Sequence, residues 1–349
     1  MANFTGKLNS NEIFAALYNM IISQQVFSDN IKGKMTDLAS KAKVDGALYG
    51  DTKLYYSTDA LASSEWGNDA EAANLLALHR PEAPKCQAIS IDKFRQIALT
   101  VDNYLSKRAW GTEGAFSDFN SVMTGWIGDT KKIYDSTTYD AFLGTAVSPV
   151  ATENVSVSVE EGETKAQAIG EAIANLLDDM EVATRDYNDY GQLRSYDRGS
   201  LKVIWNTKYI NMIKKIDLPT LFHKDGVIDK FEEDKLNHRF FGTINTTEAG
   251  TKGNGTTVRS LIEQVIGSNH YFAGDLIKTT DTAPAGTSYT EDPNVICKIV
   301  EVLPPFMSGF EVETSFFNAK SLTENRYLTW GHNTLEYLKG KPMVTVKLA

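Results

Sequence analysis

Ile89-Ser90-Ile91-Asp92-Lys93-Phe94-Arg95-Gln96-Ile97-Ala98-Leu99-Thr100-Val101 alternates between two faces. Ile89, Ile91, Ile97, Leu99 and Val101 share one face, and Ser90, Asp92, Gln96 and Thr100 share the other, which is the period-two pattern of a strand. Lys93 and Arg95 interrupt the apolar face midway. The pattern predicts a strand of about fifteen residues, where five or six is usual. A strand that long is not covered by one compact core. It either forms a two-stranded ribbon lying on its own domain or projects as a hairpin that a neighbouring subunit covers. The second reading is preferred, because an isolated hairpin is marginal without a partner.

The residues before this strand fit a hairpin. Lys53-Leu54-Tyr55-Tyr56-Ser57 reads as a short strand. Residues 59–80 are rich in Ala, Ser, Asp and Glu and have little core-forming power, and Pro81 and Pro84 mark the return. Further toward the N-terminus, residues 28–50 read as an extended arm. It is preceded by a helix carrying Ile13, Phe14, Leu17, Tyr18 and Ile21 and ending near Phe27.

After the strand, Phe116, Phe119, Met123, Trp126, Ile127, Ile133, Tyr134 and Ala141 trace one stripe of a long helix over 115–142, with Gly144 and Pro149 ending it. Residues 154–160 alternate as a half-buried strand. Thr164 and Gln167 have the spacing of a capping box, opening a helix to about residue 183 that buries Ile169, Ile173, Leu176, Leu177 and Met180. Residues 201–205 form a strand that enters a helix capped by Asn206 or Thr207. Residues 217–275 are loop-rich, and strands follow at 295–302, 310–317, 326–338 and 343–348. The class is α+β, with no internal repeat.

Composition narrows the function. Hydrophobic residues make up 42% of 349 and charged residues 23%, the balance of a globular chain with a large core. The net charge of -10 argues against a protein whose main task is gripping phosphate backbone, though not against a container for nucleic acid. No basic and apolar leader opens the chain, and no run approaches a membrane span. Cys86 and Cys297 fit no zinc or CxxC spacing, and a reduced compartment is expected. The four sequons at Asn3, Asn154, Asn245 and Asn254 read as turn residues.

Chemical motifs are missing from the sequence. His79, His223, His238, His270 and His332 are scattered without metal-ligand pairing. Asp225-Gly226-Val227-Ile228-Asp229 lacks the alternating ligands of a calcium loop. Gly250-Thr251-Lys252-Gly253-Asn254-Gly255 lacks the order of a phosphate-binding loop. The acidic pairs Glu160-Glu161 and Asp178-Asp179 read as solvated surface. No catalytic, cofactor-binding or metal residue is assigned, and no cofactor is expected.

The order of elements resembles the major capsid protein of tailed bacteriophages, the Hong Kong 97 type. The resemblance rests on architecture over nearly the whole chain. Residues 50–108 resemble the E-loop with its flanking strands, 115–142 the spine helix, 164–183 the first axial helix, and Leu201-Lys202-Val203-Ile204-Trp205-Asn206-Thr207-Lys208-Tyr209 the axial strand that enters a helix through an Asn-led turn. Arg326-Tyr327-Leu328-Thr329-Trp330, then 335–348, resemble the closing strands. The resemblance implies an N-terminal arm at 1–49, an E-loop hairpin at 50–108, a peripheral domain at 109–162, an axial domain at 163–300, return strands of the peripheral domain at 301–335 and a closing strand at 336–349. The helix expected near the start leaves no room for a charged scaffolding prelude, so a separate scaffolding protein is expected.

The implied role is structural and not enzymatic. Hexamers and pentamers would form an icosahedral shell that encloses double-stranded DNA without specific binding, assembled in the host cytoplasm with portal and decoration proteins as further partners. Lys93 and Arg95 are the expected inter-subunit residues, because cations on an otherwise apolar strand face would find carboxylates on a neighbour. The rival readings are an α+β ligand-binding or hydrolytic protein, and another virion part such as a tail component.

Overall fold

The computed structural model describes residues 38–46, 50–63, 78, 80–102, 113–161, 163–215, 234–245 and 288–349. The expected N-terminal helix, the 225–229 and 250–255 turns, most of 59–80 and of 217–275, and the side chains of Phe116 and Phe119 lie outside them. The chain divides into two compact units. The first draws its described residues from Phe94–Asp135 and Phe310–Gly331, and the second from Thr36–Lys93, Ser136–Gly309 and His332–Ala349.

The described elements are helix α1 (Leu38–Lys41), strands β1 (Lys43–Asp45), β2 (Thr52–Ser57) and β3 (Lys85–Asp102), helix α2 (Glu113–Thr145), strand β4 (Asn154–Val157), helix α3 (Lys165–Glu181), strand β5 (Lys202–Asn206) and helix α4 (Thr207–Lys215). Strands β6 (Asp234–Leu236), β7 (Gly242–Asn245), β8 (Ser288–Glu291), β9 (Val295–Val300), β10 (Phe306–Asn318), β11 (Thr323–Asn333) and β12 (Met343–Leu348) follow. One sheet has the order β1-β10-β11-β3-β2, another β4-β12-β9-β5-β6, and β7 pairs with β8.

The core of the second unit lies between the sheet centred on β9 and helix α3. The Thr164 hydroxyl accepts from the Gln167 amide while the Gln167 side chain returns to the Thr164 backbone, so both helix-end donors are satisfied. Ile169, Ile173, Leu176, Leu177 and Met180 then pack with Val203, Cys297, Ile299, Val344 and Val346. Strand β9 is buried at every position, as expected of a central strand flanked by β5 and β12. Asn206 opens α4, its side-chain oxygen accepting from the Lys208 amide at 3.0 Å and its amide group donating to the Val295 carbonyl at 2.8 Å.

Several expectations need correction. Gly144 does not end the long helix, which runs to Thr145. Its role is steric: a Cβ there would lie 1.9 Å from the Phe240 carbonyl oxygen, so only glycine lets that backbone approach. Trp126, placed on the buried stripe, is 48% exposed. The strand expected at 154–160 stops at Val157, the one at 310–317 begins at Phe306, and the one at 326–338 ends at Asn333, where the Asn333 side chain takes the Met307 amide at 2.8 Å and donates to the Pro305 carbonyl at 3.1 Å. Polar side chains inside the fold fixed that boundary where the apolar pattern ran on.

Candidate assembly surface

Strand β3 is 18 residues long and follows the alternation read from the sequence, with odd-numbered residues from Gln87 to Val101 turned inward and even-numbered ones exposed. In the second unit, Ile89 and Ile91 pack with Met307 and Leu338. Gln87 is buried but satisfied: its amide group donates to the Tyr337 carbonyl at 3.0 Å and its oxygen accepts from the Lys339 amide at 3.0 Å. Asp92 caps the end of β11, accepting from the Thr334 amide at 2.7 Å and from the Thr334 hydroxyl.

In the first unit, β3 is stitched to β11 on its exposed face. Gln96 donates to the Thr329 hydroxyl at 3.0 Å, and Thr100 donates to Asn325 at 2.8 Å. Four residues forward on β3 correspond to four residues back on β11, as antiparallel neighbours require.

Lys93 and Arg95 part company. Arg95 was expected to find little within its own chain. Instead its Nε donates to the Tyr134 hydroxyl at 3.2 Å, and its guanidinium lies 5.5 Å from the Tyr134 ring centroid. The Tyr134 ring meets Trp330 edge-on at 5.7 Å. Arg95 is therefore held by an aromatic cluster of its own unit. Lys93 is half-buried, and none of the described residues pairs with its ammonium group.

Among the described residues of the first unit, the most exposed apolar surface is the distal part of β10 and the turn into β11. Val312 is 39% exposed, Phe316 63%, Phe317 50% and Leu322 44%. Every residue of β10 from Glu311 to its end is exposed. Strand β1 covers only Phe306, Met307 and Ser308 of the outer edge of β10, and among the described residues no strand pairs with the remainder. The result is an edge with apolar side chains on both faces, a surface that soluble monomers avoid. The sequence held a signal for it: adjacent phenylalanines on one strand point to opposite faces, so Phe316 and Phe317 cannot both face one core.

The second unit contains a cavity of about 340 Å³ bounded by Tyr55, Tyr190, Tyr196, Arg194, Glu301 and Lys341. Its charged groups are engaged with the protein. Lys341 holds both Glu301 oxygens at 2.9 Å, and Arg194 donates to the Ser57 hydroxyl at 3.0 Å and the Thr58 carbonyl at 2.5 Å. Among the described residues, no group of three or more His, Cys, Asp or Glu is placed to hold a metal ion. His332 is buried beside the Phe306 ring, its Nδ1 facing the Asn333 carbonyl at 3.2 Å. Both cysteines are free, Cys86 exposed and Cys297 buried, where burial raises the thiol of Cys297. No described helix is long and apolar enough to cross a membrane.

No family model matches the chain, and no curated protein matches it in sequence. Solved structures do match. A chain in the capsid structure of Staphylococcus phage Andhra aligns with a TM-score of 0.63 at 10% identity, over 93% of this chain and 87% of that one. The fold is a phage capsid fold. A chain in the structure of the head fiber and inner core protein gp22 of native bacteriophage P68 aligns with a TM-score of 0.55 at 10% identity, over 87% of this chain and 82% of that one. At such identity the likeness is one of fold and not of particular side chains.

Proposed function

We propose that the chain is the shell-forming subunit of a phage head, of the Hong Kong 97 type, and that its role is structural and not enzymatic. The observation that carries this reading is the exposed, two-faced apolar edge of β10 on a phage capsid fold. Such an edge is stabilised when another copy covers it, and a closed shell covers every copy. The domain plan that goes with this reading is an arm at 1–49, an E-loop at 50–108, a peripheral domain at 109–162 with return strands at 301–335, an axial domain at 163–300 and a closing strand at 336–349. Hexamers and pentamers would meet through the axial domains, the E-loops would lie over neighbours, and many modest contacts would sum to a stable shell around DNA. Scaffolding, portal and decoration proteins would be its partners in the host cytoplasm and the virion. The acidic balance, with a net charge of -10, fits a wall that does not grip its cargo.

The test is size-exclusion chromatography and negative-stain microscopy of the full chain beside a Phe316→Ser, Phe317→Ser variant. The wild type should form rings or closed particles, and the variant should remain a folded, soluble small species. A wild type that stays monomeric at every concentration and salt tried, or a variant that builds the same particles, overturns the reading.

A further inference from the structure

Glu153 closes the 3-10 turn Ala151–Glu153 that leads into β4, and it is fully buried, at 0% exposure. Among the described residues, neither of its carboxyl oxygens has a hydrogen-bond partner. The Ser148 hydroxyl and the Met343 amide of β12 lie near enough to favour an anion slightly, yet neither makes an aligned bond to it. A second carboxyl group, Asp189, is close enough to repel a charge on Glu153. Asp189 already accepts from the Tyr337 hydroxyl at 2.7 Å and the Ser148 hydroxyl at 3.2 Å. The other titratable groups around the pair are the phenols of Tyr196 and Tyr337, whose ionisation Glu153 opposes, the phenol of Tyr190, whose ionisation Asp189 opposes, and Lys339, which acts on Asp189. A buried carboxylate and a half-buried one beside it, with Lys339 acting on the second, cannot both be charged at low cost.

We propose that Glu153 and Asp189 together hold one proton in the folded subunit, taken up from solvent on folding, so that the turn they anchor is a pH-sensitive clasp. Burial is the largest influence on Glu153 and raises its carboxyl from 4.5 to about 7, the Asp189 charge adding to it. The unfolded chain has already lost this proton above pH 4.5, while the folded chain keeps it to about pH 7. Stability from this site is therefore full below pH 4.5, falls as the pH rises, and is lost above about 7. The part that loosens is defined by its bonds. Asn154 donates to the Ser148 and Val150 carbonyls at 3.1 and 3.0 Å, and β4 pairs with β12 at the edge of its sheet. Ionised Glu153 must draw in water or leave its site, and either movement works against that edge strand. The clasp belongs to the single subunit and does not depend on shell formation.

The experiment follows the full chain, its Glu153→Gln variant and its Asp189→Asn variant by thermal unfolding and infrared spectroscopy from pH 5 to 9. Relative to Glu153→Gln, wild type should lose several degrees of midpoint between pH 5 and 7, the difference levelling off above that, and its spectrum should lose one carboxylic-acid carbonyl band around pH 7. Glu153→Gln should lack that band, show no fall of midpoint between pH 5 and 7 and exceed wild type at pH 8. Asp189→Asn should move the loss of the band to lower pH by removing the repulsion. If Glu153→Gln fails to fold, the infrared titration of wild type and of Asp189→Asn still decides. A carboxylic-acid band absent at pH 6, or a difference between wild type and Glu153→Gln that does not vary with pH, overturns the proposal.

Discussion

The Arg95 guanidinium rests against the Tyr134 ring, 5.5 Å from its centroid, with Nε donating to the Tyr134 hydroxyl at 3.2 Å. Arg95 lies on β3 and Tyr134 on α2, so the contact ties the long strand to the long helix within the first unit. Replacing Arg95 by Ala should lower the stability of the subunit by about 0.5–2 kcal/mol, the range of a partly desolvated cation–π contact. Denaturant unfolding measures this. Glu at Lys93, which has no described partner, should leave subunit stability within about 0.5 kcal/mol of wild type. Equal losses at the two positions would contradict the division between a structural Arg95 and an unengaged Lys93.

Gly144 offers a steric test. A methyl group there meets the Phe240 carbonyl oxygen at 1.9 Å and its carbon at 2.4 Å, both backbone atoms that cannot swing aside. Gly144→Ala would raise helix propensity in an exposed helix, yet here overpacking should dominate and cost roughly 1–3 kcal/mol. A Gly128→Ala control, where nothing lies within 4 Å, should be neutral or stabilising. A stabilised Gly144→Ala protein would show that the two backbones do not approach as described.

Lys298 gives a pH dependence of opposite sign to that of Glu153. It is buried on the central strand β9, its ammonium group donating to the Ala146 carbonyl at the C-terminal end of α2. Burial lowers its pKa from 10.5 to about 7, with the nearby Lys347 charge adding to the effect. Between those values the unfolded chain binds the proton and the folded chain does not. The contribution of Lys298 therefore destabilises fully below about pH 7, and stability rises with pH up to about 10.5. The slope for one proton is about 1.4 kcal/mol per pH unit. Lys298→Met should flatten the rise between pH 7 and 9.5, read as the wild-type minus variant difference in unfolding free energy at about pH 7 and 9.5. The same slope in both proteins would show that Lys298 stays charged when buried.

The sequence by itself determined what depends on local periodicity and local bonds. The alternation of β3, the capping box at Thr164 and Gln167, the Asn206 turn into α4 and the α+β order of elements were all legible, because each involves residues a few positions apart. Long-range packing decided the rest. Arg95 could not be given its partner, since Tyr134 is remote in sequence and only the fold brings the two together. Glycine at 144 read as a helix stop, because propensity is local while the Phe240 carbonyl that excludes a side chain arrives from a distant segment. Burial of Glu153 and Lys298 was equally hidden. Glu153, in a short polar stretch, looks solvated until the turns close over it. Lys298, a lone cation on an apolar strand, is given no side to face until strands on both flanks and α2 enclose it. That closure is a property of the tertiary structure alone.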